Sequence, residues 1–189
     1  MRTRKLIGTV AVATVMTGCA IILALAGASL IGCATATIDE PAACDTVSLG
    51  TVPASPVAGV PLPPQTFTSN FDFSGTIKKI GDVADNLSAN VSQLTMNNNG
   101  DLQWVSQVDV TVTGDSQDTP EAPFASYTSN GDPGQQVTVN VKMDQGTILK
   151  YLEHPITLKF TVNGTAPTQT VNFTNTMCVD VSGSVSKGL

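Results

Sequence analysis

The sequence predicts an all-β protein: an antiparallel β-sandwich with one short helix, preceded by an apolar leader and a proline-rich linker. Three observations carry this reading. Several runs alternate apolar and polar residues with the period of two that half-buried strands require. The clearest sets Leu102, Trp104, Val108, Val110 and Val112 against Gln103, Gln107, Asp109 and Thr111. Two Asn-Gly pairs, Asn99-Gly100 and Asn163-Gly164, have the composition of hairpin turns. Strands and helices do not alternate along the chain, which excludes a parallel nucleotide-binding sheet.

The elements follow in order. Residues 33–64 read as tether and linker, because Pro53, Pro56, Pro61, Pro63 and Pro64 favour an extended, polyproline-like spacer. A short strand near 46–49, beside Cys44, also fits. The sandwich domain is expected over residues 65–189. A run rich in Thr and Phe predicts a strand over 66–77, with Phe67, Phe71 and Phe73. Ile80, Val83, Ala84 and Leu87 have helical spacing, so 80–89 fits a short helix or a twisted loop. Residues 91–96 and 102–112 are expected to form a hairpin through Asn97-Asn98-Asn99-Gly100, with Trp104 on the core face. A polar loop over 115–123 leads to a short edge strand over 124–128. Asn130-Gly131-Asp132-Pro133-Gly134 is a turn, and Val137, Val139 and Val141 alternate as another strand. Ile148, Leu149 and Leu152 make an apolar helical stripe that Pro155 ends. Ile156, Leu158, Phe160 and Val162 are expected to pair with 168–181 as a second hairpin through Asn163-Gly164. The layout is loosely similar to immunoglobulin-like and LEA-type-2-like sandwiches.

The leader has its own composition. Arg2, Arg4 and Lys5 precede a stretch without charge from Leu6 to Ile38, the pattern of an export signal. The stretch contains Leu30-Ile31-Gly32-Cys33, which resembles the lipobox of bacterial lipoproteins. The resemblance covers the leader only. It implies a signal peptide over 1–32, cleavage before Cys33, and a diacylglycerol on the Cys33 thiol. By the same resemblance, Ala34 after the modified cysteine implies sorting to the outer membrane. Two other readings stay open. Met16-Thr17-Gly18-Cys19 is a weaker lipobox, and the apolar stretch exceeds the roughly 20 residues that span a bilayer uncut. All three readings place the rest of the chain outside the cytoplasm.

Cleavage before Cys33 leaves 157 residues with six Lys and Arg against 15 Asp and Glu, a net charge of −9. Such a body is repelled by anionic lipid, so acyl chains, not protein charge, would hold it on a membrane. With Cys19 removed and Cys33 modified, Cys44 and Cys178 remain as a pair in an oxidising compartment and are expected to form a disulfide.

Composition excludes several functions. The acidic balance argues against nucleic-acid binding, which needs clustered Lys and Arg. The single histidine, His154, cannot build a His-rich metal site, and no serine or cysteine motif makes it a general base; it is expected to cap the short helix. Asp115, Asp118, Glu121 and Asp132 lie in loops without EF-hand spacing and read as solvated acids. Asn-x-Ser/Thr occurs at Asn86, Asn90, Asn163 and Asn172 and, in a bacterial lipoprotein, carries no glycosylation implication. Asp180-Val181-Ser182-Gly183-Ser184 resembles the start of a von Willebrand A metal site, but that family draws further ligands from downstream loops, and here only five residues follow Ser184. No catalytic residue, metal or cofactor is therefore expected. The sequence favours a non-enzymatic envelope lipoprotein whose sandwich binds another envelope protein or serves a structural role. The alternative is a carrier of lipid or another apolar ligand between the sheets. An enzyme ranks third and would need a pocket with convergent polar groups.

Overall fold

The structure, a computed structural model, describes residues 34–187 apart from Ala58. The leader and Cys33 lie outside the described residues. The chain forms nine strands and two helices: β1 (Ala34–Val52), β2 (Gln65–Phe71), α1 (Ser74–Gly81), β3 (Asn86–Asn98), β4 (Val105–Gly114), β5 (Ala122–Thr128), β6 (Gln136–Thr138), β7 (Asn140–Val141), α2 (Gln145–Leu152), β8 (Ile156–Gly164) and β9 (Val171–Lys187). One sheet has the order β1-β9-β3-β6 and the other β2-β8-β4-β5-β7. Every pair is antiparallel. The all-β sandwich expected from the alternation is the observed fold.

Side chains fill the space between the sheets. Phe160, Leu158 and Val108 from the second sheet meet Phe173, Met177 and Met96 from the first, all without solvent exposure. Phe173 packs against Phe67 and edge-on against Trp104, with ring centroids 5.5 and 5.8 Å away. Trp104 lies on the core side, as its place in the alternating run predicts. β9 keeps its period without a break: Val171, Phe173, Asn175, Met177, Val179 and Val181 point inward and are buried.

Several elements differ from the sequence reading. Residues 34–52 are not a tether. β1 pairs with β9 from Ala34↔Lys187 to Val52↔Val171, with irregularities at Glu40/Ala43 and Ser48/Gly50. Its mixed polar sequence hides the period because β1 is an edge strand, Pro41 interrupts it, and two bulges shift its phase. The proline-rich segment that follows is packed, not free. Ser55 N–H bonds Pro167 O at 2.9 Å, Ala166 N–H bonds Val60 O at 2.7 Å, and Leu62 N–H bonds Gly164 O at 3.0 Å.

There are two short helices, not one. The strand expected over 66–77 stops at Phe71, because the Asp72 carboxylate accepts from Ser74 N–H and Ser74 Oγ and turns the chain. Helix α1 then buries Ile77 and Ile80. Helix α2 starts at an Asp144 N-cap that accepts from Thr147 N–H at 2.9 Å, and buries Ile148, Tyr151 and Leu152. Glu153 is its C-cap, not His154.

Neither Asn99-Gly100 nor Asn163-Gly164 makes a hairpin. β3 and β4 belong to different sheets, as do β8 and β9, so both connections cross the sandwich. Neither Gly100 nor Gly164 has positive φ. Gly164 serves close approach instead: a Cβ there would overlap the Trp104 carbonyl oxygen, which accepts from Thr165 N–H. The Val137–Val141 run is split, with β6 in one sheet, β7 in the other, and buried Val139 at the crossing. β5 lies between β4 and β7 rather than at an edge. β9 continues beyond the expected strand to Lys187.

Candidate functional site

The two ends of the sandwich are unlike. At one end lie the start of β1, the end of β9, the start of β3 and α1. The first sheet extends here beyond the second, and α1 covers the extension: Lys79 Nζ is 2.6 Å from Glu40 Oε1, and a Cβ on Gly183 would meet Ala84 and Ile80. Val83 is exposed beside it. The opposite end holds the proline-rich segment, the β3–β4 crossing and the β8–β9 crossing.

The Cys44–Cys178 disulfide is present and joins residues that face each other across the β1–β9 ladder. It lies on the outer face of the first sheet, since even-numbered β9 residues point away from the core. That face carries hydroxyl and amide side chains that pair across strands. Thr46 and Thr176 hydroxyls meet at 2.9 Å, Ser88 and Ser182 at 2.8 Å, and Thr51 donates to Asn172 Oδ1 at 2.7 Å.

Asp180, Ser182 and Ser184 lie on this same face, paired with Asn90, Ser88 and Asn86 at one end of the β3–β9 ladder. Alternate residues of a strand are about 6.6 Å apart, so their three oxygens cannot converge on one cation that needs ligands at about 2–2.6 Å. The likeness to a metal-site motif is one of sequence alone. The loop carboxylates do not converge either. Asp115, Asp118 and Glu121 follow β4, whereas Asp132 follows β5 and so lies at the opposite end. His154 Nδ1 is 3.6 Å from Asp115 Oδ1, both groups about half exposed.

Four carboxylates sit below their ordinary range because the charged form accepts hydrogen bonds. Ser74 hydroxyl and N–H do this for Asp72, Thr111 and then Lys159 for Glu121, Gly134 N–H and Gln103 for Asp132, and Thr147 hydroxyl and N–H for Asp144. Lowered folded values stabilise the fold above the unfolded carboxyl range and lose that effect as pH falls through the folded values. Melting temperature should therefore hold between pH 7 and about 5 and decline below about pH 4. A decline already complete at pH 6 would contradict this assignment.

Two surface depressions are open to solvent. One of about 430 Å³ lies at the proline-rich end, among Asn99, Asp101, Gln103, Trp104, Thr168 and Thr170. Another of about 460 Å³ lies between β3 and the β6–β7 crossing. The indole N–H of Trp104 is buried with no hydrogen-bond partner among the described residues. Sequence reasoning missed Asn175, which is fully buried on the apolar side of β9 and donates to Ser69 Oγ at 3.3 Å. The alternation of β9 around it was the available signal. No family model matches this chain, no curated protein matches it, and no solved structure matches it.

Proposed function

We propose that this protein is a non-enzymatic cell-envelope lipoprotein, anchored through Cys33 in the outer membrane, whose sandwich is a binding or structural module for another envelope protein. The observation that carries the location is Leu30-Ile31-Gly32-Cys33 after a basic, then uncharged, leader. The Cys44–Cys178 bridge agrees with an oxidising compartment. The carrier reading gains no support, because large side chains occupy the space between the sheets.

Mass spectrometry of the membrane-extracted protein tests this reading. The expected mature chain begins at Cys33 and carries added acyl mass, and Cys33→Ser should abolish that mass. A soluble product cut elsewhere, or retention of Met1, would overturn it.

A further inference from the structure

We propose that two copies of this chain join edge to edge through β2, in a two-fold antiparallel pairing centred on Thr68. The inference does not depend on the leader or on lipidation. It starts from the backbone groups that β2 leaves free. Leu62 N–H bonds Gly164 O and Ala166 N–H bonds Val60 O, whereas Thr165 N–H bonds Trp104 O. Even-numbered residues here turn their backbone groups toward the β2 side and odd-numbered ones toward β4, and the alternation carries both directions down β8. The β2–β8 ladder runs from Gln65↔Val162 to Phe71↔Ile156 without a register shift, so Gln65, Phe67, Ser69 and Phe71 are the residues that bond β8. The N–H and C=O groups of Thr66, Thr68 and Asn70 point away from the sheet. Among the described residues they have no backbone partner.

β2 is also the least protected of the four terminal strands, β1 and β6 in one sheet and β2 and β7 in the other. Charge, proline, bulges and shortness keep a sheet edge from pairing with another chain. β1 carries Asp39, Glu40, Asp45 and Pro41 and has two irregularities. β6 and β7 have only three and two residues. β2 has seven residues, with no charge, no proline and no bulge. Phe67 marks the same opening. The other five phenylalanines are buried, while Phe67, on the core-facing side of β2, is only partly covered. Charge and symmetry identify the occupant. The chain is acidic, with a formal net charge of −6, so a second copy needs a register that sets no acid against another. Centring on Thr68 provides it: Thr68 faces Thr68 of the second copy, Thr66 faces Asn70, Phe67 faces Ser69, Gln65 faces Phe71, and Asp72 falls opposite Pro64. The free backbone groups of residues 66, 68 and 70 then meet their counterparts in hydrogen-bonded pairs, and the Thr–Thr and Thr–Asn contacts add side-chain bonds on the exposed face. Such a contact closes on itself as a dimer and joins two five-stranded sheets into one.

Cysteine cross-linking of the full-length protein tests the pairing, with mild oxidation in isolated envelopes and again after purification in detergent. Peptide mapping separates the expected links from any through Cys19 or Cys33. Hydrogen-bonded antiparallel partners have Cα atoms about 5.5 Å apart, inside the range of about 4.4–6.8 Å that a disulfide bridges. Thr68→Cys should therefore link position 68 to position 68 several-fold more than Ser88→Cys, at an exposed position of the other sheet, links to itself. Mixing Thr66→Cys with Asn70→Cys should link 66 to 70. Neither should link to itself, because like positions lie four residues, about 13 Å, apart along the paired strands. Equal yields at positions 68 and 88, or 66 linking to itself as readily as to 70, overturn the pairing. Thr68→Cys linking only to a different envelope protein overturns the dimer and assigns the edge to that partner.

Discussion

Phe173→Ala should destabilise the fold by about 3–5 kcal/mol, the range for removing a fully buried aromatic side chain. The ring has no solvent exposure and touches Phe67 from β2 and Trp104 from the β3–β4 crossing. It therefore ties both sheets and one crossing together. Rigid β strands on three sides leave little room for the cavity to collapse, which puts the expected loss toward the upper part of that range. At this chain length each kcal/mol moves the melting temperature by about 2–4 °C, so a drop near 10 °C is expected by calorimetry. Phe173→Leu should cost clearly less. A loss below about 1 kcal/mol for Phe173→Ala would mean that the ring is not at the centre of the core.

Replacing both Cys44 and Cys178 with alanine should cost about 2–5 kcal/mol. The bridge spans 134 positions in sequence. Chain entropy alone gives about 5 kcal/mol for such a loop, an upper guide to the effect. The residues already face each other in the ladder, so the bridge holds an edge strand that has a neighbour on one side only. Denaturant unfolding of the double variant, and of the wild type with reductant, should show the same loss. Alkylation of both thiols in unreduced, unfolded protein would contradict the bridge.

The sandwich was legible because β4, β8 and β9 bury one face and expose the other, which writes a period of two into the sequence. Trp104 was placed correctly for the same reason. Connectivity was not legible. Asn99-Gly100 and Asn163-Gly164 have the composition of hairpin turns, but Gly164 is small because it passes the Trp104 carbonyl, and the chain changes sheets at both places. Val105 shows how a local irregularity defeats a period. It sits among the polar positions of its run, yet a register shift between Val105 and Gln107 turns it inward, where it is buried. β1 was missed most completely. An edge strand needs little apolar sequence, and two bulges and Pro41 erase the alternation that remains. The disulfide pair was legible from cysteine arithmetic and compartment, although its place on the outer face was not.

The reassignment of residues 34–52 from tether to strand carries the role of the disulfide, so residue-resolved hydrogen exchange of β1 tests the account most directly. An edge strand protects only the amides that point at its single neighbour. Amides of residues 43–52 directed at β9 should exchange as slowly as those of β8, in alternation with fast, outward-facing ones. Uniformly fast exchange from residue 37 to 52, beside slow exchange in β8 and β9, would contradict it and return the segment to a flexible tether.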